Sequence, residues 1–327
     1  MRLGRPKFLV YSTLLFSLGV AVAVREGAPI TPGWWVAGQF LVWCIHLTTH
    51  YCNEFFDFDA DKANTAPTRW TGGSRVLVEG HLPPIASLAA AFVLLFAGLA
   101  VVIAIPSTGA RVTALAAIAM AWFYTAPPLR LNYRGLGETV VAAVLNLCAP
   151  LLAYQISTDH APWLLLAIVF PTFMAQQLRM MVMNLADYDG DRSIGKRTLA
   201  ITFGRRGTVR AFAAGQVVVY AVIAASAFLG MPRAVTVAML LTAPVALWQA
   251  LRLLRGELEQ ARTANSVVFW ASTHVALIAL AAVGGVLVDT AIHGVLGASG
   301  VACVAISLAY VGLLAPQIWA NRVVRAR

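Results

Sequence analysis

Two acidic groups stand at helical spacing, each at the downstream end of a long apolar stretch: Asn53, Asp57 and Asp61 in the first, Asp187 and Asp191 in the second. Side chains four residues apart share one helix face, and several carboxylates at the edge of a membrane are costly unless cations neutralise them. The stripes extend upstream. His46, His50, Asn53, Asp57 and Asp61 recur at steps of three and four, as do Gln176, Arg179, Met183, Asp187 and Asp191. Two polar stripes on otherwise apolar helices imply a polar cavity between them. Oxygen ligands without His or Cys pairs suit Mg2+, which binds through one or two carboxylates and fills its shell with water and phosphate. The expected ligand is therefore a phosphate or diphosphate ester. Arg69 and Arg75 in the first loop, with Arg192, Lys196 and Arg197 in the second, would hold its oxygens by charge-assisted hydrogen bonds. Arg179 falls inside a span, where an unpaired charge is expensive, so it is expected to pair with a carboxylate or with ligand phosphate. The loop cations are also what membrane topology alone places there, and His46 and His50 fit either hydrogen-bonded packing or a chemical role.

The elements that position these residues follow from composition. Of 327 residues 60% are hydrophobic and only 12% charged, and mean hydropathy is +0.76, well outside the range of soluble domains. Apolar runs of bilayer-crossing length lie near 8–24, 33–56, 83–105, 110–126, 138–157, 161–186, 208–231, 234–254, 266–288 and 293–319. The expected fold is all-α: a polytopic transmembrane bundle of nine to ten helices, ten favoured, around a central cavity. The first run resembles a secretory signal but is long enough to remain as a span. Loops rich in Lys and Arg stay cytoplasmic. Twenty of the 24 basic residues fall in the two tails and in the loops after helices 2, 4, 6 and 8, against Arg25, Arg111 and Arg233 on the other side. The N-terminus and both acidic groups are thus placed on the cytoplasmic side. The net charge of +10 is dispersed over short loops, which argues for anionic lipid headgroups as partners and against nucleic acid. Cys44, Cys52, Cys148 and Cys303 lack metal or disulfide spacing and read as packing residues.

Residues 1–327 read as a single membrane domain. Its two longer cytoplasmic connections, 57–82 and 187–207, each begin with an acidic cluster and continue into basic, glycine-containing sequence. This weak internal repeat suggests two halves that bring their acidic ends together around one cavity, with the loops as lids.

Asn-Glu-Phe-Phe-Asp-Phe-Asp-Ala-Asp (53–61) and Asp-Tyr-Asp-Gly-Asp-Arg-Ser-Ile-Gly-Lys-Arg-Thr-Leu-Ala (187–200) resemble the two aspartate-rich signatures of the UbiA superfamily of intramembrane prenyltransferases. Arg75-Val-Leu-Val-Glu-Gly80 and Arg5-Pro6 are similar to further family segments, and the resemblance runs from about residue 5 to about 290. It implies two Mg2+ held by Asn53, Asp57, Asp61, Asp187 and Asp191. An isoprenyl diphosphate would ionise there to an allylic cation, its tail in an apolar tunnel, and a nucleophilic acceptor would capture the cation. Tyr124-Thr-Ala-Pro-Pro-Leu-Arg130-Leu-Asn-Tyr-Arg134-Gly-Leu-Gly-Glu138 ends like the menaquinone-pathway enzymes that prenylate dihydroxynaphthoate. By that resemblance Tyr124 and Arg130 are candidates for contacting diphosphate or an acidic acceptor, while Arg134 reads as part of a turn. The implied reaction is prenyl transfer to an aromatic acceptor, dihydroxynaphthoate-like or hydroxybenzoate-like, in quinone biosynthesis. Glu54 stands where many members have Asp. His46 and His50 replace amides, so an orienting or basic role toward a phenol is open to them. The family core has nine helices, which makes 293–319 an addition.

Two other readings share parts of this pattern. A terpene cyclase, or a transferase to a non-aromatic acceptor, would carry the same diphosphate machinery. A secondary transporter would place its charges near the membrane midplane on interrupted helices, whereas these clusters lie at one surface.

Overall fold

A computed structural model describes residues 3–64, 72–294 and 296–322. Among the described residues the regular structure is all-helical apart from one isolated parallel bridge between Arg134 and Arg197. Eight segments among the described residues are long and apolar enough to cross a membrane: α1 (Pro6–Arg25), α4 (Pro84–Ala104), Gly137–Thr158, α8 (Trp163–Ala186), α10 (Leu199–Phe228), Arg233–Leu254, α13 (Ala261–His293) and α14 (Gly297–Arg322). Between them lie α2 (Pro32–Phe56), whose 25 residues carry the first polar stripe, α3 (Phe58–Ala63), α5 (Thr108–Phe123), of 16 residues, and α9 (Tyr188–Ser193). The protein is an integral multi-pass membrane protein.

Local sequence explains most boundaries. Proline occupies the first turn of α1, α2 and α4, where its missing N–H costs nothing and its fixed φ suits the helix. Ser107 caps α5 by accepting from the Ala110 amide at 3.0 Å, and Thr198 caps α10 by accepting from Ile201 at 3.3 Å. The segment Gly137–Thr158 is α6 (Gly137–Ala142), a π-helical turn (Ala143–Cys148) and α7 (Ala149–Thr158). Arg233–Leu254 is α11 (Arg233–Leu240) followed by α12 (Ala243–Leu254), with Pro244 in the first turn of α12. The stretch Leu199–Phe228 is two helices meeting at Gly204, whose φ of 69° and ψ of 168° are open to glycine but strained for other residues; the span expected from 208 begins just after that break.

Burial separates inner from outer helices. In α1, Gly137–Thr158 and α13 the apolar windows are 61%, 67% and 61% buried, against 22% for α4 and 17% for α14. Phe92, Val93 and Phe96 on α4 and Val301 and Leu308 on α14 are correspondingly exposed, as expected of faces solvated by lipid. One continuous core joins α1, α2, α7, α8, α10 and α13. At the end remote from the acidic clusters, Arg25 donates to Asp289 at 2.6 Å, and Asp159 accepts from Ser107 Oγ at 2.7 Å and Gly109 N at 2.6 Å. All four cysteines are buried and unlinked.

Candidate active site

The two acidic segments have matching local backbones. At the end of α2, Asp57 adopts φ −96°, ψ 10°; at the end of α8, Asp187 adopts φ −95°, ψ 10°. Each is followed by a six-residue helix, α3 or α9. The i to i−4 hydrogen bonds continue through the bend, from Asp57 N to Asn53 O at 2.8 Å, Asp61 N to Asp57 O at 2.8 Å and Asp191 N to Asp187 O at 2.9 Å. The stripes are therefore not straight, but the bend keeps successive aspartates on the same side while the chain turns. The helices α3 and α9 touch, and Asn64, just past α3, donates from Nδ2 to Asp187 Oδ1 at 2.9 Å.

Between the clusters sits Lys196. Its ammonium is 3.2 Å from Asp191 Oδ1 and 3.5 Å from Asp57 Oδ2. Asp57 also accepts from Asn53 Nδ2 at 2.6 Å, Asn132 Nδ2 at 3.2 Å and Tyr133 Oη at 2.9 Å. Burial pushes Asp191 up to about 6 and Asp61 up to about 7, with Lys196 opposing the first shift and Arg5 the second. For Lys196 burial acts downward, but Asp57 and Asp191 outweigh it and hold the ammonium well above its ordinary range. Crowded, poorly hydrated carboxylates of this kind attract cations.

The first loop closes over this end. Leu3, Val76 and Leu77 form a small buried cluster with Tyr51 and Phe58, which draws the loop onto the helix ends. Glu54, 2% exposed, accepts from Arg5, from Ser74 N at 2.7 Å and from Ser74 Oγ at 2.6 Å. Arg75 donates to the backbone carbonyl of Asp61, and the Asp187 carboxylate accepts from Gly72 N at 3.3 Å. At Gly73, φ is +76° and an added Cβ would stand 2.0 Å from Asp61 Oδ2. The second loop is tied by Arg197 N donating to Tyr133 O at 3.2 Å and by the fully buried Glu138, which accepts from Asn184 Nδ2 at 2.8 Å and Leu199 N at 2.9 Å.

Behind the carboxylates opens a cavity of about 460 Å³ whose wall includes Arg5, Asn53, His46, His50, Tyr124 and Arg179. Much of the remaining wall is apolar, from Val140, Val141, Val144 and Leu145 on the π-bearing segment to Leu313 and Leu314 on α14. His50 Nδ1 is 3.0 Å from Gly4 O; a carbonyl only accepts, so the proton is on Nδ1 and Nε2 is the lone-pair nitrogen. The His46 and His50 rings lie 4.6 Å apart.

The structure thus gathers Asn53, Asp57, Asp191 and Lys196 in one contact network, with Asp61 and Asp187 held beside it by the loop and by Asn64. Arg130 stacks 4.2 Å from the Tyr133 ring. Arg197 is exposed and contributes its backbone. Arg69 lies outside the described residues. Arg179 pairs with no carboxylate among the described residues: it donates to Ser272 Oγ at 2.9 Å and lies over Phe8 at 5.7 Å. Sequence reasoning missed Arg5, Glu54, Asn64, Asn132 and Tyr133 as neighbours of the carboxylates. Arg5 and Glu54 had a signal in the family-like positions they occupy; Asn132 and Tyr133 had only their place between a proline turn and a glycine turn.

A family description, the UbiA prenyltransferase family, matches residues 13–273. The chain belongs to that family. It is a transferase that moves a prenyl group from an isoprenyl diphosphate. As a UbiA member it is 26% identical over 224 residues to the 1,4-dihydroxy-2-naphthoate octaprenyltransferase of Bacillus subtilis (strain 168), a match covering 67% of this chain and 70% of that protein. Its fold is that of a UbiA homolog from Aeropyrum pernix K1 (TM-score 0.64, 21% identity, 86% of this chain and 98% of that one). It is equally that of a UbiA homolog from Archaeoglobus fulgidus bound to DMAPP and Mg2+ (TM-score 0.61, 17% identity, 87% and 98%).

Proposed function

We propose that this UbiA member transfers an isoprenyl group from its diphosphate to a phenolic aromatic acceptor in quinone biosynthesis, using Mg2+ held between the two aspartate clusters. The observation that carries the reading is the convergence of Asp57 and Asp191 on Lys196, next to a largely apolar cavity whose wall includes Asn53, the hydrogen-bond partner of Asp57. The relative named for dihydroxynaphthoate prenylation supports the aromatic acceptor, and the Archaeoglobus fulgidus homolog bound to DMAPP and Mg2+ supports the donor and the metal.

The residues fit Mg2+. Among the described residues no three His, Cys, Asp or Glu side chains converge tightly enough to hold a metal by themselves, but Mg2+ requires only one or two carboxylates when phosphate and water complete its shell. Among the described residues Asp191 Oδ2 is buried without a hydrogen-bond partner, and the Lys196 ammonium already occupies cation-attracting space between the clusters. Asn53, Asp57 and Asp61 would hold one ion and Asp187 and Asp191 a second. When bound, the metal neutralises charge developing on the diphosphate as the C1–O bond breaks. Lys196, Arg75 and Arg130 are within the same region to hold diphosphate oxygens, and the apolar cavity keeps water from the allylic carbon. The acceptor ring carbon forms the new bond to C1, and the proton it releases passes to a base; His50, which lines the cavity, is the candidate. We read α2 and α5 as two further crossings, making ten, with the aspartate end on the cytoplasmic side.

The test is turnover in lipid nanodiscs with geranylgeranyl diphosphate, Mg2+ and dihydroxynaphthoate or hydroxybenzoate, products being identified by mass spectrometry. A prenylated aromatic that disappears in Asp57→Ala and Asp191→Ala, and on chelation of Mg2+, is expected. Diphosphate release yielding only a hydrocarbon would replace transfer by cyclisation.

A further inference from the structure

The cavity has a second polar pole, remote from the aspartates, that the diphosphate chemistry does not use. Arg179 lies eight residues before Asp187 on α8, roughly 12 Å along the axis at 1.5 Å per residue. Its Nε is directed to Ser272 Oγ on α13, away from the carboxylates. Around it, among the described residues, Gln176 is fully buried with neither amide atom hydrogen-bonded, Thr273 Oγ1 is unpartnered at 2% exposure, and His46 Nδ1 is unpartnered at 6% exposure. Each of these side chains lines the same cavity. Their depths agree: His46 precedes Asp57 by eleven residues on α2, as Gln176 precedes Asp187 on α8.

A guanidinium in a membrane interior without a carboxylate is costly, and buried amides and hydroxyls without partners add to the cost. Four such groups on three helices converging on one open space are the signature of a ligand that completes them. The ligand needs a compact anionic head for Arg179 and atoms that both accept from and donate to Gln176. The diphosphate is claimed by the other pole, so the anion belongs to the second substrate. The nearby rings of Phe8, Tyr11 and Phe269 favour an aromatic body over a sugar or glycerol.

We propose that Arg179, with Gln176 and Ser272, binds the carboxylate of an aromatic carboxylic acid acceptor and thereby sets acceptor specificity. This rests on the transfer reading, and it assigns to Arg179 a different substrate from the one its sequence position suggested. A bidentate guanidinium–carboxylate pair at that depth would fix the ring with its reactive edge toward the aspartate end of the cavity.

The experiment compares wild type with Arg179→Gln and Arg179→Lys in nanodiscs, using 1,4-dihydroxy-2-naphthoate against 1,4-dihydroxynaphthalene and 4-hydroxybenzoate against phenol. The ratio of kcat/KM for the carboxylated over the uncharged acceptor is expected to fall about 100-fold in Arg179→Gln, as when one partner of a buried charge pair is removed, and less in Arg179→Lys. The KM for isoprenyl diphosphate should move less than about threefold. Equilibrium binding of the carboxylated acceptors, with neither diphosphate nor Mg2+ present, should be lost in Arg179→Gln at unchanged thermal stability. An unaltered acceptor ratio, or a rise confined to the diphosphate KM, would overturn the assignment. So would Arg179-dependent turnover of a phosphate monoester acceptor in place of the carboxylates. If wild type turns over no acceptor, the transfer reading fails, and the binding arm still decides the anion site.

Discussion

At the residue scale the aspartates are held in place by neighbouring side chains and loop amides. Asp57 is fixed by Asn53, Asn132 and Tyr133, and Asp187 by Asn64 and Gly72. Gly73 shows how tight the arrangement is, because any side chain there meets the Asp61 carboxylate and must also adopt positive φ. Gly73→Ala is therefore expected to lower kcat at least tenfold and to raise the Mg2+ concentration for half-maximal activity, read by metal titration of turnover. Asn132→Ala removes one of Asp57's donors without removing charge, so a weaker effect of the same sign is expected. Lys196→Met leaves two buried carboxylates without their cation; it should weaken isoprenyl diphosphate binding in the presence of Mg2+, measured as KM.

At the element scale, packing converts separate helices into one site. Glu138 is the clearest tie, joining α6 to α8 through Asn184 and to the start of α10 through the Leu199 amide. Glu138→Leu would leave both donors buried and unmet, at a cost of about 2–4 kcal/mol, seen as a lower unfolding temperature in detergent. The Gly-Leu-Gly-Glu segment is legible in the sequence only as a family resemblance, and the structure gives its glutamate a holding role. The π-helical turn at Ala143–Cys148 contributes Val144 and Leu145 to the cavity wall, and extra residues per turn of this kind are frequent at functional sites. The added C-terminal helix also acquires a place: α14 lies against α1 and α13, lends Tyr310, Leu313, Leu314 and Gln317 to the wall, and presents its other face outward.

At the scale of the whole molecule, charge asymmetry sets orientation. With 20 of 24 basic residues on the aspartate side, that end is expected in the cytoplasm. His160 and Glu259 are exposed in loops at opposite ends, and the native cysteines are buried, so introduced thiols report cleanly. In intact cells, His160→Cys should react with a membrane-impermeant maleimide and Glu259→Cys should not; the reverse pattern would invert the topology. The cavity itself has two polar poles: Asn53, hydrogen-bonded to Asp57, lines it at one and Arg179 at the other.

The sequence by itself determined the helices, their membrane character and the two acidic stripes, because each depends on local composition and on a period that repeats within a few turns. It also displayed Lys196 and Arg179, but not their partners. That Lys196 bridges Asp57 to Asp191, that Arg5 and Ser74 share Glu54, and that Arg179 turns to Ser272 were decided by tertiary structure. These contacts join residues far apart in the chain, and which faces meet depends on how whole helices pack. The bends at Asp57 and Asp187 were hidden for a related reason: the hydrogen-bond ladder runs through them, so the spacing of the aspartates carries no trace of the change in backbone direction.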